Sequence, residues 1–218
     1  MTARGRGWAG RRGRGREDGG YTLVELLVAM SLFAVLIAIY MAGIVQMTRS
    51  TNRVRNVTSS TDEGRRAFDR FDRQIRYASA VNRPVEVGSD WYLEFQTTAT
   101  GSGTGLCTQW RLLASTDQLQ LRTWSDVSSP TATTWTTVAS NVVNDPASQQ
   151  PFTFHPADST YNRQRVDLLL VVGNSQPGGA QVQAAFVARN TSTATVTNSA
   201  TTNPLVSDTQ VCQQVGRS

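Results

Sequence analysis

From Leu26 to Val45 the chain runs for twenty residues without one charged side chain. Leucine, valine, isoleucine, alanine, phenylalanine and methionine dominate the run, and it contains no proline. As a helix rising about 1.5 Å per residue it spans roughly 30 Å, the thickness of one hydrocarbon core. A secretory signal core is shorter, roughly 7 to 15 residues, and ends at a small-x-small cleavage site. The far end here reads IAIYMAGIV, with Tyr40 or Met41 where a small residue is wanted. Cleavage behind the run is therefore not expected, and the segment stays attached as an anchor.

Charge orients that anchor. Arg4, Arg6, Arg11, Arg12, Arg14 and Arg16 precede it with Glu17 and Asp18, so residues 1–20 carry 6 − 2 = +4. Residues 21–218 hold 15 arginines and 14 acids, a net of +1, and the chain has no lysine. The pI near 9.9 thus belongs mostly to the leading segment, and the case for a nucleic-acid partner weakens if that segment is removed. The positive-inside tendency places the arginine-rich end in the cytoplasm and everything after about Thr48 outside it. Arg49, Arg53 and Arg55 follow the span, so the asymmetry is moderate.

One acid, Glu25, stands close to the start of the run. At a membrane centre an acid costs about 2.5–3.5 kcal/mol on insertion scales, but less near a helix end. Spacing alone leaves a plain reading open: an interfacial acid favoured by about 0.3–1 kcal/mol at a helix N-terminus.

The surrounding residues are more specific. Gly20 is followed by Tyr21, Thr22 and two apolar residues, with Glu25 fifth after the glycine in GGYTLVELLVAM. The stretch resembles the class III signal of type IV pilins and type II secretion pseudopilins, usually Gly-Phe-Thr-Leu-Ile-Glu. The resemblance covers residues 19 to about 46, and departs from the usual form in Tyr21 and in the acids Glu17 and Asp18. It implies that prepilin peptidase cuts between Gly20 and Tyr21, and that Tyr21 becomes the N-methylated terminus. It also implies a role for Glu25: in a filament core the carboxylate pairs with a neighbouring subunit's terminal amine and fixes axial register. The partners implied are prepilin peptidase, other pilin or pseudopilin subunits, an inner-membrane assembly platform and the membrane. A nucleic-acid partner is disfavoured but stays open.

Beyond Met47, Val54, Val57, Thr61, Gly64, Phe68, Phe71, Ile75 and Ala78 fall on one helical face. Asp69 with Arg73, and Asp72 with Arg76, make acid-to-base pairs four apart. The helix is expected to run to about Val81 and to stop near Asn82-Arg83-Pro84. Gly43, Gly64 and NVTSSTDEG mark places where it could bend. The stripe is too short and too broken by Thr61 and Gly64 for a coiled coil, so packing on a sheet is expected. RRAFDRFDRQIR also admits a basic nucleic-acid helix, diluted by its aspartates.

Past Pro84 the pattern turns to short strands: 91–96, 107–113, 118–124, 135–138, 151–155, 165–172 and 181–188. ASTD (114–117) reads as a hairpin turn, and GNSQPGG as a turn between the last two strands. The fold class expected is α+β, a long N-terminal helix, transmembrane then amphipathic, packed on a mostly antiparallel sheet of about five to seven strands. The divisions expected are a leader (1–20), a membrane or filament-core helix (21–47), an amphipathic helix (48–83) and a β-rich head (84–218). SSPTATT and NTSTATVTNSATTNP read as exposed loops, the second alternatively as a thin edge hairpin. Asn56 and Asn190 begin glycosylation sequons, a weak pattern.

Cys107 and Cys212 are the only cysteines. In an exported chain two distant cysteines more often form one disulfide, with two buried thiols as the alternative. With no Cys-x-x-Cys and a single histidine, His155, a zinc site is poorly supported. No nucleophile elbow surrounds any serine, and Gly101, Gly103 and Gly105 precede no helix that could cradle a phosphate. The expectation is a minor pilin-like assembly subunit without catalysis, cofactor or metal. It is held in the cytoplasmic membrane with its head outside, and then joins a filament. The rivals are a type II secretion pseudopilin, an anchored binding module that does not polymerise, and a surface enzyme.

Overall fold

The computed structural model describes residues 20–98, 103–145, 147–173 and 180–217, with every side chain among them but those at 56, 57 and 60. The leader up to residue 19, Gly101, most of GNSQPGG and the side chains of Asn56 and Val57 lie outside the described residues. The chain divides into two units, Met1–Ser50 and Thr51–Ser218.

Helix α1 covers Leu23–Ile75, and its assignment is unbroken through Gly43 and Gly64. In the first unit its apolar side chains have nothing to bury against. Leu23, Phe33, Leu36 and Ile39 are all more than half exposed. The apolar window within Leu23–Arg55 has a mean hydropathy of 2.5 and is 0% buried. Two hydroxyls on this stretch are satisfied within the helix: Ser31 donates to the Val28 carbonyl at 2.8 Å and Thr48 to the Ile44 carbonyl at 2.9 Å. That is how a helix keeps polar groups in an environment without water.

In the second unit one face of α1 is buried, formed by Gly64, Ala67, Phe68, Phe71 and Ile75. Val54, placed on the same stripe by its spacing, is 62% exposed. The helix also ends earlier than expected, at Ile75, and Ala78–Val81 form strand β1. Ala78, Ala80 and Val81 are buried and pair with Thr97, Gln96 and Phe95 of β3 (Asp90–Thr97). Ala78 fits the helical period, but sheet pairing satisfies its backbone and its burial together, so tertiary context overrides the local pattern.

Every strand pairing among the described residues is antiparallel. The sequence suggests one sheet; the structure has two. The first joins β1, β3, β4 (Leu106–Leu113), β5 (Gln118–Ser125) and β6 (Thr136–Ala139) in that order, with β2 (Val85–Val87) on β3. The second runs β7 (Phe152–His155), β8 (Arg165–Val172), β9 (Ala180–Val187). Hydrophobic alternation identifies a strand and its buried face, but not which other strand it bonds to.

Phe71 explains how one stripe serves both sheets. Its ring lies 5.2 Å from Trp110 and 6.3 Å from Phe95 in the first sheet, and 5.2 Å from Phe186 and 6.3 Å from Phe152 in the second. Trp110 donates its indole N–H to Gln74 Oε1 at 2.9 Å, so the same turn of helix supplies a polar anchor. ASTD makes the β4–β5 turn, with Asp117 at φ 53°.

The Ser/Thr-rich stretch after Asn190 is neither all exposed nor a hairpin. It holds a short 3-10 turn, Val196–Asn198, and Thr191 and Thr197 are fully buried. Their hydroxyls serve Gln164, which is itself fully buried. Thr191 Oγ1 accepts from the Gln164 amide and Thr197 Oγ1 from its side chain, each at 2.8 Å. A buried amide needs such partners, and composition alone does not reveal it.

Candidate processing and assembly site

Thr22 is the residue that organises the N-terminal segment. Its Oγ1 accepts a hydrogen bond from the Glu25 amide at 3.2 Å, and its carbonyl accepts from the Leu26 amide at 3.2 Å. Thr22 is therefore the N-cap of α1, and Glu25 occupies the third helical position. The signal was present in the sequence as Thr-x-x-Glu ahead of an apolar run, and the reading of Glu25 alone missed it.

Gly20 and Tyr21 precede the helix in non-helical backbone, and Tyr21 is 85% exposed. A Cβ built on Gly20 would meet nothing within 4 Å. Nothing in the described fold therefore demands glycine there. An exposed, non-helical peptide bond next to a glycine that the fold does not need is what a protease with a narrow subsite can take. Glu25 is exposed, and its carboxylate has no hydrogen-bond or ion-pair partner among the described residues. Gly20, Tyr21 and Glu25 thus lie together within one helical turn of the Thr22 cap.

The two cysteines lie in the head. Cys107, on β4, is bonded to Cys212 across 105 residues of sequence. Both are buried, with Trp124 packed against them. The bond ties a C-terminal tail without strands to the outer face of the first sheet. That face carries a buried polar row, Glu94 on β3, Gln109 on β4 and Arg122 on β5, directly opposite one another in register. Gln109 Nε2 donates to Glu94 at 2.9 Å and Arg122 Nε to Gln109 Oε1 at 2.7 Å. From the tail, Arg217 binds Glu94 and the Gly216 carbonyl accepts from Arg122. Asn82 and Val211 exchange hydrogen bonds of 2.7 and 3.0 Å.

The remaining candidates stay apart. His155 Nε2 lies 3.0 Å from Asp167 on the neighbouring strand, a partly exposed cross-strand pair with no nucleophile against it among the described residues. Asp72 pairs with Arg76, while Asp69 is exposed. Arg66, Arg70 and Arg73 line a groove against Thr137–Ser140, but Glu63 and Asp69 share it. Glu63 accepts from the Ser140 amide at 2.8 Å. Among the described residues no group of three His, Cys, Asp or Glu could hold a metal ion.

No curated protein and no solved structure matches the chain significantly. The family comparison does find the N-terminal segment: residues 16–41 match the prokaryotic N-terminal methylation motif. With the apolar helix behind it, that motif supports a membrane-anchored protein and implies processing by prepilin peptidase and pilin-type subunit partners. The exposed Gly20–Tyr21 bond, the Thr22 cap and Glu25 thus lie within a stretch that matches a motif typical of type IV pilins and pseudopilins.

Proposed function

We propose that the chain is a minor subunit of a type IV pilus-like filament. Prepilin peptidase cuts after Gly20 and methylates the new amine of Tyr21. Residues 21–47 leave the membrane to form filament core, and the β-rich head is presented outside. The subunit is structural and performs no catalysis. The observation that carries this reading is the methylation motif at 16–41 continuing into a helix whose apolar window, within Leu23–Arg55, is wholly exposed.

Physical chemistry supports the assembly role of Glu25. A carboxylate without a partner is costly in lipid or in a dry helical core. The amine freed at Tyr21 of an adjacent copy is a cation of matching placement, and pairing fixes the axial position of each subunit on the next. The same motif serves pseudopilins, so a secretion pseudopilus is the second reading.

The test has two parts. Mass spectrometry of the mature protein is expected to find a methylated Tyr21 terminus. Glu25→Ala is expected to leave membrane insertion intact and to remove the protein from sheared filaments. Full-length protein retaining its arginine-rich start, or normal incorporation of the alanine variant, contradicts the reading. A plain anchor that never polymerises is then what remains.

A further inference from the structure

Two edge strands from different sheets contribute to one cleft in the head. Among the described residues β2 bonds only to β3 and β7 only to β8, so each has one main-chain edge with no strand partner there. The cleft encloses about 510 Å³, and its apolar lining includes Val85, Trp91, Phe152, Phe154 and Leu205. Leu205, on the tail segment that forms one wall, is 73% exposed, a large apolar side chain with nothing to cover it.

Arg83 is the cation in this lining. Its Nη2 donates to the Asn198 carbonyl at 3.2 Å, and its guanidinium lies 5.1 Å from the centre of the Phe154 ring. Its Nε is buried without a partner among the described residues, and so is the indole N–H of Trp91, which also lines the cleft. No described carboxylate forms an ion pair with Arg83. Asp208 favours its charge from a distance but spends its own oxygens on Ser199, Thr201 and Thr202. Glu86, exposed, is the other charged residue lining the cleft.

We propose that the cleft between β2 and β7 docks an extended peptide segment of a partner protein, with an apolar or aromatic side chain beside a carboxylate. The main chain of the segment bonds to a strand edge and its apolar side chain sits among Trp91, Phe152 and Phe154. Its carboxylate answers Arg83. Edge pairing supplies affinity without sequence, and the pocket and the cation supply selection. The peptide class follows from the strand edges, and its acidity from a partly desolvated cation that lacks an ion pair. This inference does not depend on the N-terminal reading.

The probe is an array of octapeptides alternating serine with valine, phenylalanine, aspartate or lysine, exposed to the full chain in detergent micelles. Peptides with phenylalanine beside aspartate are expected to be retained. Lysine in place of aspartate, or N-methylation of alternate backbone amides, is expected to weaken retention at least tenfold. Arg83→Gln and Leu205→Asp are expected to do the same from the protein side; the second, at an exposed position, does not threaten folding. Absence of retention, equal retention of lysine peptides, or indifference to N-methylation overturns the proposal. Self-association abolished by Leu205→Asp, with no peptide retained, assigns the cleft to a second copy and overturns it as well.

Discussion

Arg217 grips Glu94 through two parallel hydrogen bonds, Nε to Oε1 at 2.8 Å and Nη2 to Oε2 at 3.0 Å. Glu94 is 2% exposed on β3, and Arg217 lies 123 residues later in the tail. The glutamate is a strong acceptor withdrawn from water, and the arginine is its main charge partner. Arg217→Ala leaves that carboxylate with Gln109 and a long contact to Asn82. Removing one partner of a buried polar group costs about 1–3 kcal/mol. Thermal unfolding of the full-length protein in detergent is expected to show that loss, with Arg217→Lys recovering only part of it because lysine lacks the planar fork. Unchanged unfolding would mean the tail is held by its other contacts alone.

The Cys107–Cys212 bond closes a loop of 105 residues. Its loss is expected to cost about 2–4 kcal/mol, mainly by freeing the unfolded chain. Reduction, or the paired serine variant, also uncovers Trp124, which is 2% exposed against the two sulfurs. A red shift of tryptophan emission well below the global unfolding transition is the expected signature. Coincidence of the two transitions would show that the tail and the sheet unfold as one.

Thr22 and Glu25 can be separated by substitution. Thr22→Ala removes the oxygen that accepts the Glu25 amide and is expected to cost about 1 kcal/mol of local helix stability. Faster amide exchange at residues 23–25 in micelles reports it. Glu25→Gln keeps that backbone bond but deletes the charge. It is expected to leave exchange unchanged and to lower filament incorporation. If both variants act alike on both measurements, Glu25 works through the cap rather than through a neighbouring subunit.

Gly20→Ala isolates the peptidase. Because an added Cβ meets nothing within 4 Å, anchoring and head stability are expected to match the parent protein, while cleavage slows at least tenfold. An immunoblot resolving the 20-residue size difference, alongside a melting curve, checks both halves. Cleavage at the parental rate would remove glycine from the recognition element.

Asp208 gives the tail a pH response. Its carboxyl is held well below the usual carboxylate range by the Ser199 hydroxyl first, then by the Thr201 amide and hydroxyl and the Thr202 amide. A depressed folded-state value means the ordering contribution is complete above the unfolded value, about 3.9, and is lost as pH falls through the folded one. Hydrogen exchange in residues 199–208 is expected to be faster in Asp208→Asn than in the parent near neutrality. The difference shrinks progressively as pH drops below about 4. A difference that grows on acidification would contradict the assigned hydrogen bonds.

β8 was legible because it buries one face. In β8, RVDLLLVV, alternate residues Val166, Leu168, Leu170 and Val172 are the fully buried ones, and that period needs no partner to be seen. β1 was not legible, because ASAV continues the helical spacing of Phe71 and Ile75 and only its pairing with β3 reveals it. Nor was the row Glu94–Gln109–Arg122, since three polar residues scattered over 29 positions look solvated until register aligns them.

The N-terminal segment is the part that the sequence determined by itself. A lipid-length apolar run, a glycine before it, and Glu25 at a fixed spacing are local, and their meaning does not depend on which residues come near in space. Tertiary structure decided everything that required distant partners. It split the strands into two sheets about Phe71, fixed the tail onto the Glu94 row, turned threonines into buried acceptors for Gln164, and brought the edge strands β2 and β7 to one cleft. The reason is that side-chain periodicity encodes which face of an element is buried, whereas pairing and closure depend on contacts between residues far apart in the chain.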